Sequence, residues 1–393
     1  MLKKFIKLIS YLIYFPFGFM TFLIIRIISP VKVIRFSFIN SHRFGHFAQE
    51  WELFYQLNIR KKYNVIFLSF QRDISNKFLA KMIRRKIFIF PSKFIKIIQL
   101  LNNSIFGNID HEFKFHDLVY DASFNKKNIL KNNKPSLDFT KEEIIHGNNI
   151  LKLPRSKKIV GMIIRDEKYF SLGSKIKDSN NARNSNIDDF ILGIKYLEKK
   201  GYTVFRMGKT VKNKMKYTSP NIIDYANSKI RSDFMDLFLI KNCEFFISTG
   251  CGLDSVAMLF RKPILYINYM GCTDITYGTN RDLFAYKKLL NKKTRRYLKL
   301  SSIIKNDLGK ITDKSVLKKK NIDVVELRDF EIKNIIKEME KFYQHKKYTK
   351  IQKIFELKYR NLISENKELK KRIGNLNIVA SHEFLKNNTS FLK

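Results

Sequence analysis

Apolar and polar positions fall into short blocks along most of the chain, and the blocks have two periods. The runs KVIRFSFI (32–39), YNVIFLSF (63–70) and KIFIF (86–90) are rich in β-branched and aromatic residues and read as strands. Between them, FAQEWELFYQL (47–57) and residues 74–84 carry apolar positions at helical spacing. The pattern predicts a βαβαβ series, a parallel sheet covered by helices.

A polar, irregular stretch from about 107 to 139 follows, read as variable loops over a cleft. Thr140 and Glu143 have the spacing of a capping box before the helix IIHGNNILKL, and Pro154-Arg155-Ser156 reads as a linker. The strand pattern restarts at KIVGMIIR (158–165). Asn186 is placed to cap a helix with Ile187, Phe190, Ile191, Ile194 and Leu197 on one face, and Gly201 stands where a left-handed C-cap is wanted. YTVFRM, NIIDY, a helix capped by Ser232, EFFIS, a glycine loop, another helix and PILYIN (263–268) complete a second alternating unit. Residues 329–343 and 349–372 read as helices of mixed charge that brace the rest. The expected fold class is α/β, two Rossmann-like domains facing a cleft. The expected divisions are 1–30, 31–154, 155–325 and a helical extension 326–393.

The first division is apolar. Leu8 to Ile25 is 18 residues without a charge, at the short limit for a membrane-spanning helix. Lys3, Lys4 and Lys7 precede it and Arg26, Lys32 and Arg35 follow, so the basic flanks choose no orientation. Pro16 and Gly18 weaken a straight span, and no small-residue cleavage site follows. The expectation is membrane association, in the leaflet plane or as a single anchor, with the bulk of the protein on the cytoplasmic face of the inner membrane; the competing reading is a helix packed on its own domain.

The formal charge of +41 points to an anionic partner: acidic lipid, phosphorylated substrate or nucleic acid. Its lysines are dispersed, and the joint abundance of Lys, Asn, Ile and Phe fits an A/T-rich coding sequence, so compositional bias competes with function. No zinc-knuckle, KH or RNP-type signature accompanies the charge, and nucleic acid is not expected as a partner. Three cysteines, Cys243, Cys251 and Cys272, form no Cys-x-x-Cys pair, which argues against a disulfide framework and a structural zinc site. No metal site is expected.

Ligands of open α/β sheets lie at the carboxyl ends of strands. After EFFIS, Ser248-Thr249-Gly250-Cys251-Gly252 leads into a helix; the glycines permit close backbone approach, Thr249 and Ser255 offer hydroxyls, and the helix start suits a phosphate. A plain turn is the competing reading. Arg165-Asp166 ends VGMIIR, where a guanidinium can hold a diphosphate bidentately. Arg183 begins RNSNI, Arg206 and Gly208 end another strand, and Asp224-Tyr225 is placed to meet a base or ribose. In the first half, His42, His46 and Glu50 are the candidate general bases. No Asp-x-Asp, His-Glu-x-x-His, Gly-x-Ser-x-Gly, GxGxxG or P-loop pattern is found.

Taken together, IRSDFMDLFLIKNCEFFISTGCGLDSVAMLFRKPILYINY resembles the donor-binding region of GT-B fold glycosyltransferases, with similarity to heptosyltransferases and, through IIRDEKY, to fucosyltransferases. HRFGH, ARNSNIDDF, GYTVFRMGK and IRSDFMDLFL resemble the motif set of a group of bacterial glycosyltransferases. The resemblance spans about residues 33–60 and 155–300 and implies a nucleotide-sugar donor on the second domain and a glycan or glycolipid acceptor near the first. By position it implies that Arg165 faces the diphosphate, with Ser248, Thr249, Gly250 and Gly252 in the cradle. It departs from the pattern at Ile163, where the fucosyltransferase motif opens with histidine, and at Ser248, where heptosyltransferases carry aspartate. The expected activity is metal-independent, inverting transfer of a sugar to a hydroxyl of a surface polysaccharide or glycolipid, without a cofactor. A catalytically silent nucleotide- or phosphosugar-binding subunit of a membrane assembly is the alternative.

Overall fold

The computed structural model describes residues 2–63, 65–71, 73–104, 111–120, 129–154, 156–168, 180–273, 275, 281–345, 347–373 and 378–393. Part of the irregular stretch expected over 107–139 lies outside the described residues. So do Arg155, Tyr169 of IIRDEKY, and the side chains of Lys3, Lys4 and Lys7. The chain divides into two compact units, one of residues 1–124 and 135–138, the other of residues 125–134 and 139–393.

The first unit contains α1 (Leu2–Ile28), β1 (Arg35–Ile39), α2 (Phe44–Gln56), α3 (Ile59–Tyr63), β2 (Val65–Phe70), α4 (Lys77–Arg84), α5 (Ser92–Ser104) and α6 (Phe115–Tyr120). β1 and β2 pair in parallel, with Phe38 opposite Ser69. The strand expected at 86–90 does not form. Phe90 N–H donates a single bond to Leu68 O, and Pro91 then interrupts with no N–H to extend a ladder. Among the described residues this sheet therefore has two strands, extended only by a parallel bridge from Phe36 to Glu112, which falls short of a Rossmann-like domain.

Helix α1 runs through Pro16 without a break. One face docks on α5: Phe22 and Ile25 are 1% exposed, and Ile25 joins Ile34, Phe36, Phe94, Ile95 and Ile98 in one core. Gly18 makes the approach possible, since a Cβ there would lie 2.8 Å from Ile97 Cγ2. The opposite face stays bare, with Leu12 at 65%, Phe17 at 67% and Ile27 at 75% exposure. The segment Tyr11–Ile28 has the length and composition of a membrane-crossing helix, with mean hydropathy 1.9 and only 17% of it buried.

The second unit contains α7 (Ile129–Asn132), α8 (Lys141–Leu151), β3 (Ile159–Ile163), α9 (Ile191–Lys199), β4 (Thr203–Arg206), β5 (Ile222–Ile223), α10 (Asp233–Asn242), β6 (Phe245–Ser248), α11 (Gly252–Leu259), β7 (Ile264–Tyr269) and β8 (Leu283–Tyr286). Then come β9 (Lys288–Asn291), β10 (Arg296–Tyr297), α12 (Leu300–Lys305), α13 (Lys314–Lys319), β11 (Ile322–Val325), α14 (Asp329–His345), α15 (Lys350–Glu365), α16 (Lys367–Ile373) and α17 (His382–Asn387). Six parallel strands form one sheet in the order β5-β4-β3-β6-β7-β8. In chain order this is third, second, first, fourth, fifth, sixth, the doubly wound arrangement whose direction switches between β3 and β6.

The capping signals act as the sequence suggests. Thr140 and Glu143 close a reciprocal box at α8, Ser232 accepts from Met235 N–H at α10, and Gly201 takes φ +82° after α9. Asn186 accepts from Asp188 N–H and starts a short 3₁₀ turn that leads into α9. The helix expected over 349–372 is two helices, parted at Asn366. The small antiparallel sheet β10-β9-β11 was not anticipated. Nor was the return of the chain end, where Phe284 N–H donates to Val379 O at 3.0 Å and Ser381 N–H donates to Phe284 O at 2.8 Å, covering the edge of β8. Helix α14 lies on α9, where a Cβ on Gly193 would meet Ile336 Cδ1 at 2.3 Å.

Candidate functional site

In the second unit the carboxyl ends of the strands carry polar groups across most of the sheet. Asp224 follows β5, Arg206 ends β4, Arg165 and Asp166 follow β3, Thr249 follows β6, Tyr269 ends β7 and Lys287 follows β8. The switch point lies between β3 and β6, and there Arg165 N–H donates to Thr249 Oγ1 at 2.9 Å while Thr249 N–H donates to Ile163 O. Two residues chosen from the sequence are thus joined at the place where such sheets bind ligands.

Arg165 is 1% exposed, and its Nε donates to Asn184 Oδ1 at 3.1 Å. Its carbonyl accepts from Ser185 N–H, so the residue pins the 181–185 segment over the switch point. Lys287 reinforces this from beneath: its Nζ donates to Asn184 O and pairs with Glu326 at 3.1 Å. Burial draws the Lys287 ammonium down to about 8, against the pull of Glu326. Arg183 stands on the same segment, half-buried, with Nε and its own N–H donating to Asn181 Oδ1. Among the described residues no carboxylate lies within ion-pair distance of Arg183. Burial pushes the Cys251 thiol up to about 12, against the pull of Arg165 and Arg183, and leaves it inert. RNSNI, weak in sequence, therefore meets the switch point. Lys287 was missed; the available signal for it was a charge ending the apolar run Leu283–Tyr286.

The loop itself is self-satisfied. Ser248 Oγ donates to Asp254 Oδ2 at 3.1 Å and accepts from the N–H groups of Gly250 and Cys251. Asp254 Oδ2 also accepts from Cys251 N–H at 2.9 Å, and Asp254 further bonds buried Ser255. Ser248, Thr249 and Ser255, expected to offer hydroxyls to a ligand, are all buried, and Ser248 and Thr249 bond to the chain itself. Gly250 turns at φ +88°, and a Cβ there would meet the Tyr269 ring at 2.9 Å. Gly252 opens α11. Asp254 was not among the sequence candidates, although its spacing from Cys251 is that of a capping box. Burial pushes its carboxyl up to about 7, so the first turn of α11 holds a group that changes charge near physiological pH.

The remaining donor candidates pair with one another. Arg206, 1% exposed, holds Asp224 at 3.0 Å and Asp166 at 3.7 Å, tying the ends of β3, β4 and β5 together. Asp166 also accepts from Lys212 N–H and Asp224 from Met215 N–H. These three residues form an internal brace in place of the expected ligand contacts. Gly208 has φ +146° just after β4. Tyr225 is fully buried, and its hydroxyl donates to Asp236 at 2.7 Å, which removes it from any surface that could meet a base or ribose. Burial raises Asp236 to about 6.

In the first unit, His46 Nδ1 lies 2.9 Å from Glu50 Oε1, one helical turn along α2. Glu50 is 0% exposed and is held by Asn40 Nδ2, which donates to both carboxylate oxygens at 2.9 and 2.7 Å. Gln71 Nε2 in turn donates to Asn40 Oδ1 at 2.8 Å. The chain Gln71–Asn40–Glu50–His46 orients the imidazole and assigns Nε2 as its basic nitrogen when Nδ1 carries the proton. Glu50 is the orienting carboxylate, and His42 is exposed in the preceding turn, outside this chain. Among the described residues no cluster of His, Cys, Asp or Glu has the geometry of a metal site.

No protein-family model matches the chain, and no curated protein matches it. Among solved structures it is similar to an ADP-heptose LPS heptosyltransferase II of E. coli, at 14% identity over 59% of this chain and 84% of that one, with a TM-score of 0.32. A family 9 glycosyl transferase of Veillonella parvula matches at 11% identity over 59% and 79% of the two chains, with a TM-score of 0.33. The E. coli heptosyltransferase TibC, dodecameric and iron-containing and solved with ADP-D-β-D-heptose, matches at 13% identity over 64% and 62%, with a TM-score of 0.36. At such TM-scores the likeness carries no argument about activity.

Proposed function

We propose that the protein is a glycosyltransferase that moves a sugar from a nucleotide-sugar donor to a hydroxyl of a surface polysaccharide or glycolipid, without a metal and with inversion. The observation that carries the reading is the pair of cations, Arg165 and Lys287, that hold Asn184 at the switch point of a doubly wound parallel sheet, with Arg183 beside it on the same segment and bonded to Asn181. Cations preorganised at one point supply what a departing diphosphate needs. In this reading Arg183 takes the diphosphate from the surface, while Arg165 and Lys287 hold the segment and add positive field from below. His46, oriented by Glu50, takes the proton of the acceptor hydroxyl.

The bare face of α1 supports attachment to a membrane, and the reading puts the protein on the cytoplasmic face of the inner one. The protein stays with membranes through a carbonate wash in this reading; quantitative release would remove that part of it. The test of the activity is a panel of nucleotide-sugars, screened first for thermal stabilisation and then for transfer. A true donor raises the melting temperature by mass action. Arg183→Ala abolishes that rise, and Arg165→Ala lowers transfer by about a hundredfold. A panel in which no nucleotide-sugar stabilises the protein overturns the reading. Stabilisation without transfer to any acceptor identifies a silent binding subunit instead.

A further inference from the structure

The first unit contains a cavity of about 650 Å³ that the proposed chemistry leaves unused. Asn40 and Gln71, the residues that hold Glu50 and through it His46, form part of its wall. Lys93 and Lys96 of α5, Lys114 before α6 and Tyr11 of α1 line it, and Lys96 Nζ donates to Gln99 Oε1 at 2.8 Å. Two acids also reach the cavity. Glu112 accepts from Gln99 at 2.7 Å, and Asp117 lies exposed on α6. The lysines outnumber them.

The side at Tyr11 continues into an apolar track. Phe15 and Phe19 follow Tyr11 at successive four-residue steps and so share its face of α1. They are 50% and 36% exposed, with rings stacked at 6.0 Å. A polar, basic hollow therefore opens onto an exposed aromatic strip of the helix fitted for a bilayer. That combination matches an amphiphile better than a water-soluble sugar.

We propose that this cavity seats the hydroxyl-bearing, anionic head of a membrane lipid, with its chain laid along Tyr11, Phe15 and Phe19. The lipid is the acceptor, a word that rests on the sugar-transfer reading; the seat itself does not. Bound there, a head hydroxyl lies beside the Asn40–Gln71 pair that orients the Glu50–His46 couple.

The experiment uses monomeric probes on the full chain: dihexanoylphosphatidylglycerol, dihexanoylphosphatidylcholine and glycerol 3-phosphate, followed by calorimetry and lysine-acetylation footprinting. The phosphatidylglycerol probe binds at one site and protects Lys93, Lys96 and Lys114. The other two bind about tenfold more weakly, one lacking the anionic hydroxylated head and the other the chain. Lys93→Ala/Lys96→Ala/Lys114→Ala weakens the probe by about tenfold, whereas Lys318→Ala/Lys319→Ala/Lys320→Ala, an equal loss of charge on α13 and the turn after it, leaves it within about twofold. Phe15→Ala/Phe19→Ala weakens phosphatidylglycerol and not glycerol phosphate.

Equal affinity for the choline lipid, or equal effects of the two lysine triples, overturns the proposal. Because no donor is present, the outcome is separate from transfer. Saturable lipid binding without any sugar transfer keeps the seat and removes the enzyme reading. Transfer to a soluble glycan that the bound lipid probe does not inhibit keeps the enzyme reading and removes the lipid as its acceptor.

Discussion

Asp254→Asn is the substitution that most directly reads the chemistry of the switch-point loop. Asp254 Oδ2 accepts from both Ser248 Oγ and Cys251 N–H, and an asparagine carbonyl in the same position can accept both. The variant therefore keeps the turn and removes only the ionisation. Burial raises the carboxyl from 3.8 to about 7, so the native state holds this proton more tightly than the unfolded chain does. Stability linked to Asp254 is complete below pH 3.8, falls as pH rises towards 7, and is level above that. At about 1.4 kcal/mol per pH unit, the interval from 3.8 to about 7 corresponds to about 4 kcal/mol by pH 8.5. Urea denaturation of wild type and variant at pH 4, 5, 6, 7 and 8.5 measures it. The two proteins agree near pH 4; the variant is already the more stable at pH 5, and its lead grows to about pH 7 and then holds. Curves that run parallel across this range would show that Asp254 ionises without cost, and would refute the upward shift of its carboxyl.

The remaining substitutions separate scaffold from chemistry. Gly250→Ala places a side chain at φ +88° against the Tyr269 ring and costs about 2 kcal/mol in denaturant unfolding; an unchanged midpoint contradicts the close approach. Arg206→Ala leaves Asp166 and Asp224 without their shared cation and destabilises by about 3–5 kcal/mol. A fully stable Arg206→Ala that has lost donor binding would instead return Arg206 to the ligand surface. Glu50→Gln weakens the hold on His46 and lowers transfer about tenfold or more, with the donor-induced thermal shift unchanged. Loss of that shift would show that Glu50 serves the donor rather than the base.

Much of the second unit was legible because its signals are local. The strands Ile159–Ile163, Phe245–Ser248 and Ile264–Tyr269 are mostly apolar and almost entirely buried, and the caps at Thr140, Asn186 and Ser232 need only their own next turn. The strand expected at 86–90 failed because a short apolar run does not say whether it will find a ladder, and here Pro91 and aromatic packing of Phe90 on Phe67 and Phe94 decided otherwise. Strand β8 and its covering segment Val379–Ser381 are about a hundred residues apart, a distance at which no local pattern speaks.

The sequence by itself determined an α/β chain with an apolar leading helix, the strand-end positions of Arg165, Arg206 and Thr249, and the loop from 248 to 252. Only the tertiary structure decided which of these polar groups face one another. Arg206 turned to Asp166 and Asp224, Tyr225 to Asp236, Ser248 to Asp254, and His46 to Glu50. The physical reason is the demand that buried polar groups be paired. Sequence shows which residues carry charge and hydrogen-bonding capacity, but partners are assigned by the fold. At the switch point that assignment brought Arg165 and Lys287 together on Asn184, a grouping spread over more than 120 residues of chain.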